Sequence, residues 1–433
     1  MKRKSCFGPA FALAAVLITA SHLYAGEFRA GAARVDITPT DDEFPFSVQQ
    51  EKPFVGVHND LYVRALVMED GSGHRIAVAS VESTTVPNPQ QAIATVAYQA
   101  HVPESNVLVC ATHTHNSLLV SYHGGTPAPV HAKEMERIQK ALNQATHEAV
   151  EHLEPARIAF GRGRAFVNIN NGEASGLEGL GDPEGPSDKT LDVISIRNAK
   201  GDSIAALVNY ATHAEVLFRS VTKNGGYEVS GDLPGAVAYL LEGPKGLAPV
   251  VLFTSGAEGD QLPVFKSLQP AVDLEGSDEG TGAWAVLDVQ ARRLANAVLE
   301  VAKGMKVGAA EGAIATASSS ITCPAKRKNE PSEQAGTRDI PPVRISLSVF
   351  RVGDFTIAGI AGDVAASIGL SIKNAVPDQK TTLITVTAGT VGYILPDSAY
   401  SHISHGVAGS SLKPGCAENA LVNGLVALEE SAR

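Results

Sequence analysis

Two apolar runs far apart in the chain lead into the same dipeptide, and this constrains the fold more tightly than any other feature. Asn106-Val107-Leu108-Val109-Cys110-Ala111 runs into Thr112-His113-Thr114-His115-Asn116-Ser117, and Ala205-Ala206-Leu207-Val208-Asn209-Tyr210-Ala211 runs into Thr212-His213-Ala214. Short continuous apolar runs of this kind read as strands buried on both faces. On extended backbone, residues i and i+2 share a face, so the rings of His113 and His115 point the same way. Open α/β sheets keep their ligand crevice at the carboxyl ends of their strands. In a parallel sheet, two strands that finish in Thr-His could bring their imidazoles to one edge, the start of a metal site.

Two further apolar runs feed that edge. Pro249-Val250-Val251-Leu252-Phe253-Thr254-Ser255 enters the glycine-rich turn Gly256-Ala257-Glu258-Gly259-Asp260-Gln261-Leu262-Pro263, and Phe355-Thr356-Ile357-Ala358-Gly359-Ile360 ends in Ala361-Gly362-Asp363 before a helix. Their convergence would gather His113, His213 and Asp363 into a nitrogen- and oxygen-rich cluster suited to zinc. Asp260 and Asp363 also suit a turn or helix N-cap, where aspartate accepts from free backbone N–H groups.

Most of the chain alternates short β-branched runs with amphipathic stretches, which predicts a layered α/β fold: a mixed central β-sheet flanked by helices. Strands are expected at Leu61 to Glu69, Arg75 to Val81, Val107 to Ala111, Ile204 to Tyr210 and Val250 to Phe253. Helices are expected at Gln90 to His101, Ala132 to Leu153, Pro234 to Glu242, Trp284 to Ala302 and Ala365 to Ala375. Nothing resembles an interdomain linker or a repeat, so residues 26–433 read as a single domain. The polar stretch from Ala325 to Gln334 is expected to be an exposed loop. Gly353-Asp354, between two apolar alternating runs, signals a hairpin.

Met1-Lys2-Arg3-Lys4, the apolar stretch Phe11 to Ala20 and the exit Tyr24-Ala25-Gly26 have the charge, length and small residues of a secretory signal peptide. This predicts cleavage after Ala25, removal of residues 1–25 and export, either periplasmic or secreted. Ser21 and His22 interrupt the stretch short of the roughly 20 apolar residues a stable span requires, so no stable membrane anchor is expected. Cys110 lies within an apolar strand and reads as core, while Cys323 and Cys416 stand open between a disulfide and free thiols. A net charge of -11 with sparse basic clusters argues against a nucleic-acid partner, which needs a lysine and arginine footprint.

Five motifs in order, Gly31-Ala32-Ala33-Arg34-Val35-Asp36-Ile37-Thr38-Pro39, Thr112-His113-Thr114-His115, Asn209-Tyr210-Ala211-Thr212-His213, Ser230-Gly231-Asp232-Leu233-Pro234-Gly235 and Gly259-Asp260-Gln261-Leu262-Pro263, resemble neutral/alkaline non-lysosomal ceramidases. The resemblance runs from about Gly31 to near Ala427. It implies the family's catalytic domain without its C-terminal immunoglobulin-like domain. It also implies zinc held by His113, His213, Asp363 in Gly362-Asp363, and Tyr393 in Gly392-Tyr393-Ile394. His115 would serve the reacting water, Tyr400 and Arg162 would contact the oxyanion or leaving group, and Asp260 would orient the ligands from behind. Unaided, both tyrosines read as core or interface aromatics, and Arg162 as a solvated cation.

Three departures accompany the resemblance. Asp363 stands where the family has a glutamate, Leu262 stands where it has a serine in Gly-Asp-Val-Ser-Pro-Asn, and the neighbours of Arg162 differ. The expected function is an exported zinc-dependent hydrolase. It would cleave an amide or related acyl bond in a small-molecule or lipid-like N-acyl substrate by metal-activated water. The alternative is a non-catalytic exported binding protein that retains the fold.

Overall fold

The computed structural model describes residues 27–47, 52–119, 129–175, 179, 181–221, 225–243, 246–266, 279–306, 312–328, 340–376 and 380–433. The expected leader lies outside the described residues. The expected strands form at Tyr62–Glu69, Arg75–Val81, Val107–Ala111, Ser203–Tyr210 and Val251–Ser255. The expected helices form at Pro89–Ala100, Pro129–Glu151, Asp232–Glu242, Glu279–Gly304 and Ala366–Ala375.

These strands join Arg29–Asp36, Glu154–Arg164 and Thr190–Asn198 in an eight-stranded mixed sheet. At its middle, Arg29–Asp36 meets Glu154–Arg164 through two register pairs, Arg29 with Pro155 and Ala30 with Glu154. The sheet therefore divides there into two four-stranded halves. Leu66, Met68, Ile76, Val78, Leu108 and Cys110 of one half share a core with Ile194, Ile196, Ala205, Leu207, Val250 and Leu252 of the other. The alternate side chains of the same strands face outward onto helices. Val67, Ala79 and Val109 lie under Pro89–Ala100 and Pro129–Glu151, and Val193, Val208 and Phe253 lie under Asp232–Glu242 and Glu279–Gly304. Burial on both faces explains why these strands read as continuous apolar runs, each large side chain contributing about 1.5–3 kcal/mol.

A second sheet, Ile314–Cys323, Val343–Val352, Phe355–Ile360 and Thr381–Ile384, packs Phe350, Val352, Phe355, Ile357 and Ile384 into the shared core. Its hairpin turns at Gly353, whose φ of 60° suits glycine. Cys323 and Cys416 form a disulfide that ties this sheet to the C-terminal helix Ala417–Ser431, and Cys110 is free and buried.

Two expectations are corrected. The Thr-His strands do not finish side by side on one edge of a parallel sheet: the sheet is mixed, Val107–Ala111 ends the strand order on one side, and Ser203–Tyr210 is second from the other. Their parallel partners are Arg75–Val81 and Val251–Ser255, and their ends meet because the halves face each other. The polar stretch is described through Lys328, and within it Lys326 is buried, its Nζ donating to the carbonyl of Val407 at 2.7 Å. Charge alone argued for exposure, but a carbonyl acceptor lets the ammonium lie inside.

Candidate metal centre

Four chain segments deliver the site. Beyond the Val107–Ala111 strand, Thr112 N donates to Val81 O at 2.9 Å, and His113 adopts a φ of 63°. A left-handed conformation at a non-glycine residue costs about 1–3 kcal/mol. It turns the ring inward, where Nδ1 lies 2.7 Å from Thr84 O. His115 N donates to Ala214 O at 3.1 Å and His213 N to Gln261 O at 2.8 Å, which fastens the two Thr-His turns and the glycine-rich turn together. Thr385 N donates to Ser255 O, and Ala111 N to Val386 O, so the segment after Thr381–Ile384 bridges the free edges of both half-sheets. Gly259 is needed for close approach: a Cβ there would stand 2.5 Å from Asp363 O.

The rings of His113 and His213 are 4.7 Å apart between centroids, and His115 lies 4.9 Å from His113. Nδ1 of His213 sits 2.7 Å from the backbone oxygen of Glu258 and also contacts its carboxylate. Both histidines thus spend Nδ1 on a carbonyl, which leaves Nε2 as the coordinating nitrogen, the arrangement that orients imidazole ligands. Nε2 of His113 faces Asp363 Oδ2 at 3.6 Å.

The electrostatics are those of two buried acids among imidazoles. Burial and the Glu258 carboxylate push Asp363 up to about 7. Burial alone would lower His213, but Glu258 beside it raises it well above the usual value. Burial lowers His113, and lowers His115 further. Glu215 is held below the ordinary carboxylate range despite its burial, by His115 and Lys266. Asp363 Oδ1 and Glu258 Oε1 are buried with no hydrogen-bond partner. Orphaned buried carboxylate oxygens are costly, and a cation answers them. Ligand atoms of His113, His213, Glu258 and Asp363 all lie within 4.8 Å of one another, so these residues fit a divalent ion.

Tyr393 is the register partner of Asp363, and its ring stacks on His213 at 6.3 Å. Tyr400 is buried behind it: its hydroxyl meets Ser410 Oγ at 3.0 Å, and that oxygen donates to Tyr393 O. Asp260 is turned away from the imidazoles. Its Oδ1 accepts from Ala366 N at 2.8 Å, at the start of the helix Ala366–Ala375, and its Oδ2 from Asn170 at 3.1 Å. Arg162 is not gathered into the cluster. It forms a bidentate pair with buried Asp192 at 2.6 and 2.8 Å and donates to Thr381 O.

Reading from sequence missed Glu258 and Glu215. Glu258 was visible only as a carboxylate in a glycine-rich turn, and Glu215 as an acid two residues beyond His213. Asp232, in the Ser-Gly-Asp-Leu-Pro-Gly motif, accepts from Val216 N and Leu217 N and so fixes the turn that carries Glu215.

The layers and the buried imidazole–carboxylate cluster at the strand ends define an α/β protein with a candidate metal centre. No protein-family model matches the chain. It is 26% identical over 240 residues to the neutral ceramidase of Drosophila melanogaster, a match covering 51% of this chain and 33% of that protein. Neutral ceramidase of Drosophila pseudoobscura pseudoobscura matches to the same extent, so the chain spans about a third of the length of these curated relatives. The crystal structure of neutral ceramidase from Pseudomonas aeruginosa superposes with a TM-score of 0.71 at 17% identity, covering 94% of this chain and 75% of that one. A ceramidase structure complexed with C2 superposes with the same score at 16% identity, covering 94% and 76%. The chain thus resembles neutral ceramidases, in sequence over about half its length and in fold over most of it.

Proposed function

We propose that this chain is a zinc-dependent hydrolase that cleaves the amide, or a related N-acyl bond, of a lipid-like substrate. The observation that carries the reading is the cluster itself: two imidazoles with Nδ1 already engaged and two buried acids, their ligand atoms within 4.8 Å of one another. The curated ceramidases and the ceramidase structures support the acyl-amide chemistry.

His113, His213 and Asp363 would hold the ion, with Glu258 beside them and Tyr393 added from the family resemblance. When bound, zinc supplies Lewis acidity toward a carbonyl and lowers the pKa of water from 15.7 toward about 7. Leu262, which offers no hydroxyl, is then compatible with turnover. His115 takes a proton at Nε2, which is buried and has no hydrogen-bond partner. Tyr400, through Ser410, holds the backbone of Tyr393 beside Asp363. Export is the accompanying proposal, supported by the Cys323–Cys416 disulfide, since such bonds persist in oxidising compartments. Among the described residues no helix is long and apolar enough to cross a membrane.

Metal analysis of the purified protein together with a panel of N-acyl substrates tests the reading. His213→Ala should abolish bound zinc and turnover together; full metal content in that variant contradicts the ligand assignment. Leu262 favours one competing reading, a binding protein without catalysis. Stoichiometric zinc with no turnover of any substrate would establish that alternative.

A further inference from the structure

We propose that Glu215 is a positioning residue which, held by Lys266, fixes the ring of His115 with its proton on Nδ1 and its Nε2 lone pair turned into the cluster. The inference deepens the hydrolase reading and rests on His115 as proton acceptor.

Nδ1 of His115 lies 3.3 Å from Glu215 Oε1. The other carboxylate oxygen is taken by Lys266 Nζ, so the acid is gripped from both sides. Phe218 stands edge-on to His115 at 5.2 Å, and the Lys266 ammonium lies over the same phenyl ring at 5.6 Å. The backbone beneath is equally restrained. Thr114 and Ala214 form a parallel bridge, and the Asp232 carboxylate pins Val216 N and Leu217 N.

A neutral imidazole carries one N–H, and the carboxylate at Nδ1 draws it there. The remaining nitrogen can then only accept. In the step this prepares, water gives one proton to Nε2 and its oxygen bonds to the acyl carbon. The C–N bond then breaks, and the proton leaves His115 on the amine. Without Glu215 the ring can place its proton on Nε2, and that nitrogen, the one turned into the cluster, then cannot accept another.

The test is Glu215→Ala, Glu215→Gln and Lys266→Met in protein labelled with 15N-histidine, with His115→Ala used to assign the ring. Long-range proton–nitrogen spectra should show the Nδ1–H tautomer for His115 in the wild type and its loss in Glu215→Ala. With an N-acyl substrate, kcat should fall roughly 10- to 100-fold in Glu215→Ala while KM stays nearly unchanged. Glu215→Gln, which keeps an acceptor oxygen, should recover part of both signals, and Lys266→Met should fall between. A Glu215→Ala ring spectrum and kcat identical to wild type would overturn the proposal. If the wild type turns over no substrate, the hydrolase reading fails by itself and the ring spectrum alone decides the positioning role.

Discussion

Replacing Asp363 by asparagine should stabilise the metal-free protein while removing its hold on metal. Asparagine matches the shape of aspartate without its charge. In the metal-free state, burial and the adjacent Glu258 carboxylate move Asp363 from 3.8 up to about 7. The folded protein therefore keeps a proton that the unfolded chain releases. That contribution to stability is complete below the unfolded value of 3.8 and is lost as pH rises through about 7. At ~1.4 kcal/mol per pH unit, the loss reaches about 4 kcal/mol by pH 8. Asp232, pushed up to about 6 by burial, titrates in the same window, so the quantity to measure is the difference between wild type and Asp363→Asn. Urea unfolding of chelator-treated protein from pH 4 to pH 8 supplies it. The wild type should lose about 4 kcal/mol relative to the variant across that range. Added zinc should recover the wild type and leave the variant unmoved. Stability curves that run parallel over the whole range would refute the description of two buried acids crowded without a cation.

His115→Ala should keep stoichiometric metal while turnover drops by about 10²- to 10⁴-fold, the usual range for a lost general base. Metal lost with the ring would instead make His115 a ligand, read directly by elemental analysis. Cys416→Ser opens a disulfide whose cysteines are 93 positions apart and should cost about 4 kcal/mol in urea unfolding. Equal stability with and without reductant would contradict this. Glu82→Ala removes one of the two carboxylates that pair with buried Arg64 and should cost about 3 kcal/mol; a change within 0.5 kcal/mol, the scale of an ordinary surface substitution, would show that Glu242 suffices.

The strands were legible because each is buried twice. Val107 and Val109 face helices while Leu108 and Cys110 face the shared core, so the run carries no polar interruption. His113 and His213 stood out because both follow such runs. Their route to each other was not legible, since the facing of two half-sheets depends on a seam of two register pairs that leaves no local pattern. Glu258 was hidden for a similar reason. Its partner Asp363 is brought close only by the gap at Gly259, and proximity of that kind has no spacing to read. Asp260 shows the opposite difficulty: it is near in sequence and looks equally reactive, yet one oxygen serves a helix start and the other the side chain of Asn170. Arg162 was chosen by motif, and its strand register places it against Asp192 instead.

The large sheet has the outline of a clam shell. Its two valves share a short hinge at Ala30 and Glu154, and its lips are the outermost strands, Val107–Ala111 and Val251–Ser255. The candidate ligands ride on and between those lips, so an ion seated there would act as a latch. Affinity for the metal would then add to the stability of the folded shell, which should be greatest when the site is loaded.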